Sequence, residues 1–176
     1  MRVTDFLAAS AVSLLVAGCV VPMQMPGSAS EPAAPAASTS TAYARSEGRI
    51  FDLINAERSR QGLRPLAFNA QLDRMAHIQA ANMAHFQKMA HTLPEAQLPT
   101  LGDRARYVGY PYREIAENIA LGYPTPEAVV QGWMNSTGHR RNILNSGVEE
   151  TGIAIVRSAA GGLYYAQVFG RQGTSF

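Results

Sequence analysis

Glu117-Asn118-Ile119-Ala120 and Trp133-Met134-Asn135-Ser136-Thr137-Gly138-His139-Arg140-Arg141-Asn142-Ile143-Leu144 are the two stretches whose reading decides the fold. The first sets a carboxylate and an amide among apolar residues and has strand-like or irregular character. Between the two lies Thr125-Pro126-Glu127, a helix start with a Thr cap, Pro at the first helical position and an acid in the first turn. That helix is expected to run to about Asn135 and to bury Val129, Val130, Trp133 and Met134. A second short helix is expected over about 137–144, with His139 near its start.

Working outward, the chain's end alternates as strands. Thr151 to Arg157 is one strand, Ala159-Ala160-Gly161-Gly162 is a turn, and Leu163 to Phe169 is the other, which together read as a hairpin. Upstream, residues 47–60 read as a helix capped by Ser46, with Ile50, Leu53 and Ile54 at helical spacing. Gly62 stops it. Leu63 to Phe68 is an extended connector, because Pro65 keeps Arg64 out of the helical region. Asn69 caps a second helix over residues 70–89, whose apolar stripe is Leu72, Met75, Ala76, Ala80, Met83 and Met89. A further short helix is expected over 103–108. Helices come first and a hairpin last. This order predicts an α+β fold with helices packed on an antiparallel sheet, not a parallel doubly wound one.

Four histidines are present, at 77, 85, 91 and 139. His77 and His85 are eight apart on the second helix, about 80° apart around its axis. They are not the i, i+4 pair of a metalloprotease helix, and both read as surface groups bonded to neighbours. His91 falls just past the helix end. Asn118 and Asn142 read as amides bridging loop backbone, and Trp133 reads as core.

These motifs, in order, resemble the CAP superfamily of cysteine-rich secretory, antigen 5 and pathogenesis-related proteins, also called SCP-like domains. Leu53-Ile54-Asn55-Ala56-Glu57-Arg58 with Gly62-Leu63-Arg64-Pro65-Leu66 carries the resemblance first. Leu72 to Met83, His91-Thr92, Arg106 with Gly109-Tyr110, the two opening stretches and Tyr165-Ala166-Gln167-Val168-Phe169-Gly170 carry it on. The resemblance implies an α-β-α sandwich with a central antiparallel sheet and a cleft lined by two His and one or two Glu. His91, Glu117 and His139 sit on the matching motifs. Ser136 stands where longer eukaryotic members place a second Glu.

Two imidazoles and a carboxylate can hold a divalent ion, zinc or calcium, with water completing the shell. Unmetallated, a His–Glu pair supports acid–base chemistry. A structural polar cluster is the third reading. The sequence offers no evident nucleophile, so the leaning is towards a non-enzymatic binding module for a lipid, cell-wall or protein ligand. A metal-dependent hydrolase and a structural envelope protein with an idle cleft are the alternatives. Arg140 and Arg141 read as a solvated face or as a contact for anionic lipid or glycan.

The chain has 176 residues, a formal net charge of +2 and one cysteine. At roughly 100–200 residues per domain this is one domain with additions. One thiol makes neither an internal disulfide nor a Cys-rich zinc site. Fifteen Lys and Arg against 13 Asp and Glu give no basic patch that would mark a nucleic-acid binder. Residues 1–18 read as a signal peptide whose apolar run is too short to span a bilayer, which takes about 20 residues. Leu15-Val16-Ala17-Gly18-Cys19 resembles the bacterial lipobox, which makes Cys19 an acylation site and the membrane a partner. Val20, where Asp would retain the protein at the inner membrane, implies by the same resemblance an outer-membrane lipoprotein of a Gram-negative cell. Residues 19–45 are expected as a Pro/Ala/Ser-rich tether, and residues 46–172 as the folded domain.

Overall fold

The computed structural model describes residues 36–173, and the expected signal peptide, Cys19 and the first part of the tether lie outside the described residues. In chain order the elements are α1 (Ala36–Arg60), β1 (Ala67–Phe68), α2 (Ala70–Phe86), α3 (Leu101–Val108), β2 (Tyr112–Leu121), α4 (Pro126–Asn135), α5 (Thr137–Ile143), β3 (Glu150–Arg157) and β4 (Leu163–Gln172). The strands form one sheet in the order β1-β3-β4-β2.

Both faces of the sheet are covered, and the alternation of β3 and β4 assigns each residue to a face. Ala154, Tyr164, Ala166 and Val168 pack with Leu72, Met75, Ala76, Ala80 and Met83 of α2 and with Ala105 of α3. Ile153, Ile155, Tyr165 and Phe169 pack with Ile50 and Ile54 of α1, Val129, Val130 and Trp133 of α4, and Ile143 of α5. Burial on both faces is why β3 reads as the near-continuous apolar run Ile153-Ala154-Ile155-Val156. The result is an α-β-α sandwich.

Three details differ from the sequence expectations. The sheet is mixed, because β1 pairs parallel to β3 at Ala67–Glu150 and Phe68–Thr151, while β3–β4 and β2–β4 are antiparallel. The connector after Gly62 therefore also serves as a two-residue edge strand. Second, α1 begins at Ala36, not near residue 47. Alanine has the best helix propensity, so this stretch extends a helix that packing has already nucleated. Ser46 lies inside α1, and its hydroxyl donates to the Ala42 carbonyl at 3.0 Å. Third, α2 ends at Phe86. Gln87 takes a left-handed conformation (φ 52°) and its N–H, like that of Lys88, turns back to the Met83 carbonyl. This early stop moves Met89 off the helix and places His91 in a loop.

The helix starts follow their caps. The Asn69 side chain accepts from Gln71 and Leu72 N–H at 2.8 and 3.1 Å. Thr100 and Asp103 form a reciprocal capping box at α3. Thr125 accepts from Ala128 N–H at 3.1 Å, with Pro126 behind it.

The free part of the β3 edge is closed by two carboxylates. Glu47 Oε1 accepts from Ile155 N–H at 2.9 Å, and Asp73 Oδ1 from Ile153 N–H at 3.4 Å. His77 Nε2 stands 3.6 Å from Asp73 and 4.0 Å from Glu47. Burial pushes both carboxyls above their ordinary range, and their backbone bonds and His77 only partly offset it. The folded state then holds protons that the unfolded chain releases. The contribution of these groups to stability is full below the ordinary carboxylate pKa and is lost as pH rises through the raised folded values. Glu47→Gln keeps the acceptor for Ile155 but removes the charge. Urea melts of this variant from pH 4 to pH 7 should show a shallower loss of stability with rising pH than the wild type. An unchanged slope would remove Glu47 from the account.

Candidate functional site

The cleft is built where β2 runs between α3 and α5. Side chains alternate along β2, so Glu117 points to the α2–α3 layer and Asn118 to the α5 layer. Glu117 has 3% of its side chain exposed and Arg104, from α3, has none. Arg104 Nη2 donates to Glu117 Oε2 at 2.6 Å, and His91 Nδ1 lies 2.9 Å from Oε1. A carboxylate only accepts, so the hydrogen bond to Glu117 places a proton on His91 Nδ1. The His91 ring is itself half exposed.

On the other face, side chains cap the free edge of β2. Asn142 Nδ2 donates to the Glu117 carbonyl at 3.2 Å and to Asn118 Oδ1 at 2.9 Å. Asn118 Nδ2 donates to the His139 carbonyl at 3.2 Å. Trp133 Nε1 donates to the Ile119 carbonyl at 3.1 Å. Backbone groups that would otherwise be orphaned at a sheet edge are thus satisfied, and α5 is held at a set distance from β2. His139 is half-buried. Burial, and secondarily the neighbouring His91, lowers its pKa and so favours the neutral imidazole.

Beside His139 opens a cavity of about 400 Å³, whose lining includes Met89, Leu121, Tyr123, Trp133, Ser136 and His139. Met89 and Leu121 are 51% and 41% exposed, high for large apolar residues. Tyr123 lies against Gly132, where a Cβ would meet its ring, so this glycine sets the wall. Ser136 ends α4 and precedes α5, and its side chain caps neither helix. A different cavity, of about 370 Å³, lies by Arg58. There the guanidinium is spent on the carbonyls of Arg64, Ile143 and Asn145 at 2.7–2.9 Å, and ties α1 to the loop after α5.

The structure brings His91 and Glu117 into direct contact, and His139, which lines the neighbouring cavity, lies near enough to His91 to be influenced by its charge. The structure does not make them a three-ligand metal set. Both Glu117 oxygens are engaged, and the described residues hold no group of three or more His, Cys, Asp or Glu arranged to hold a metal ion. The acid is a positioning group that orients His91. Sequence reading missed Arg104 and marked Arg106 instead, which is exposed and pairs with Asp103. A signal existed. Arg104 shares the helical face of Leu101, Ala105 and Val108, and a charge on the apolar face of a short helix calls for a buried partner.

An α-β-α sandwich with a His–Glu cleft between a β-edge and a short helix is the CAP type of domain. The family model for the cysteine-rich secretory protein (CAP) family matches residues 51–169, and the chain belongs to this family. It is 38% identical over 128 residues to the uncharacterized protein YkwD of Bacillus subtilis, covering 71% of this chain and 47% of that one. It is also similar to the crystal structure of an extracellular SCP-domain protein from Bacillus anthracis. There the TM-score is 0.72 and the identity 32%, over 81% of this chain and 45% of that one. An outer surface protein of Borrelia burgdorferi shares the fold, with TM-score 0.65 and 20% identity over 70% of this chain and 90% of that one. The chain spans under half the length of the first two relatives. Among the described residues no helix is long and apolar enough to cross a membrane.

Proposed function

We propose that this protein is an exported, membrane-anchored CAP module that binds an amphiphile in the cavity beside His139. The single observation that carries the reading is that cavity. Its apolar side chains Met89 and Leu121 stand exposed, and its polar lining groups include the His139 imidazole and the Ser136 hydroxyl. A site with apolar walls and a few placed polar groups suits a ligand with an apolar body and one hydrogen-bonding head. Export is supported by the signal-like residues 1–18 and by the extracellular SCP-domain relative. Anchoring rests on Cys19 in its lipobox-like setting. Acyl chains add roughly 0.8 kcal/mol per buried methylene, enough for several chains to hold the module on a bilayer. The outer membrane, with cell-wall material within reach of the tether, is the compartment that Val20 favours. Hydrolysis at a metal is not the preferred reading, because Glu117 is committed to Arg104 and His91.

Two measurements test this. Full-length protein mixed with phospholipid vesicles carrying a fluorescent fatty acid should take up the probe, and Leu121→Asp should weaken uptake at least tenfold, about 1.4 kcal/mol. No uptake by the wild type would favour an idle cleft in an envelope structural protein. Separately, Cys19→Ser should move the protein from the membrane to the soluble fraction, and continued membrane retention would remove the anchor.

A further inference from the structure

We propose that Arg104 is the resident cation of the cleft: it occupies at Glu117 the place a divalent metal would take, and it thereby turns the site away from metal ions. The geometry makes the exchange one for one. A metal ligated by Glu117 needs a carboxylate oxygen with a free lone pair directed into the cleft. Oε2 is held at 2.6 Å by Arg104 Nη2, and Oε1 at 2.9 Å by His91 Nδ1. The guanidinium is fully buried and the carboxylate nearly so, so water does not compete with the pair and neither group can swing out. Arg104 Nε and Nη1 find no hydrogen-bond partner among the described residues. Glu117 is therefore the acceptor that anchors this side chain, and the guanidinium has no other station to retreat to.

Charge reinforces the geometry. With Glu117 matched by Arg104, the remaining cleft groups are the His91 and His139 imidazoles, neither of which brings a negative charge. A dication approaching the imidazoles would meet a neutral pair and feel the guanidinium behind the acid. Two imidazoles alone leave a zinc ion two protein ligands short of a closed tetrahedral site. Removing the positive charge of Arg104 while keeping a polar side chain should free the Oε2 oxygen of Glu117 and leave the buried carboxylate without its cation, open to an added one. The proposal stands whether or not the neighbouring cavity binds an amphiphile, and zinc uptake and lipid uptake are separate readouts.

The test titrates zinc into full-length protein, in competition with a chromophoric zinc indicator, and follows thermal stability in parallel. Wild type and Arg104→Lys should show no zinc uptake that depends on Glu117. Arg104→Gln should bind zinc at least tenfold more tightly than wild type and be stabilised by it, and the gain should vanish in Arg104→Gln/Glu117→Gln. Equal zinc affinity in wild type and Arg104→Gln overturns the proposal. If Arg104→Gln does not fold without metal, wild type and Arg104→Lys still decide. Absence of Glu117-dependent uptake in both supports it, and uptake by the wild type that is lost in Glu117→Gln overturns it.

Discussion

Gly152→Ala is expected to cost about 3 kcal/mol or more, at or beyond the upper end for overpacking in a core. Gly152 sits in β3 directly beneath the first turn of α2. An added Cβ would fall well inside van der Waals contact with Asp73 N and Cα and with the Leu72 carbonyl carbon. These are backbone atoms, so no side-chain rotation relieves the clash. The turn cannot slide away freely, because Asn69 caps it and the Asn69 N–H donates to the Thr151 carbonyl at 3.0 Å. The helix would have to lift off the sheet and loosen the layer of Leu72, Met75 and Ala76. At roughly 2–4 °C per kcal/mol for a domain of this size, the midpoint should fall by about 6–12 °C. A thermal melt that moves by less than about 2 °C would mean that α2 does not bear on β3 as closely as described.

Arg104→Met should be about as damaging for a different reason. It leaves the Glu117 carboxylate buried without its cation, and breaking such a pair from one side costs about 3–5 kcal/mol. The pair is not intrinsically worth that much, since two charges were desolvated to make it. The double variant Arg104→Met/Glu117→Leu should therefore recover a large part of the loss, and a double-mutant cycle in urea measures the coupling. Recovery absent from the double variant would show that Arg104 acts by packing, not by neutralising Glu117. The double variant also removes the acceptor that orients His91, so stability and cleft geometry separate in one experiment.

The relation between these two sites explains why part of the cleft escaped a linear reading. Glu117, His91 and His139 are marked by motifs, because each follows a local signal such as a helix end or a strand edge. Arg104 carries no such mark beyond its place on the apolar face of α3. Its partner lies on β2, and the pairing exists only once α3 folds back on the sheet. The same holds for Glu47 and Asp73. Nothing local in α1 or α2 announces that their carboxylates close the β3 edge. The early end of α2 was hidden for another reason. Gln87 is a residue that rarely adopts a left-handed conformation, so the stop appears in the backbone and not in composition.

Order along the chain sufficed for the α+β class, the hairpin and the caps at Asn69 and Thr125, because each is written in local periodicity and spacing, while the family and its layered sandwich came from the resemblance of whole motifs. The signal-like start and Cys19 in its lipobox-like setting are expectations from local pattern and lie outside the described residues. Three-dimensional packing decided which groups meet: Arg104 neutralises Glu117, Glu47 and Asp73 close the β3 edge, and Gly152 lies under α2. The physical reason is that burial makes a charge depend on whatever else is buried beside it. Those neighbours come from elements far apart in sequence. From its motif residues the cleft stays open between a metal site, an acid–base pair and a structural polar cluster, and its packing adds the arginine that neutralises Glu117.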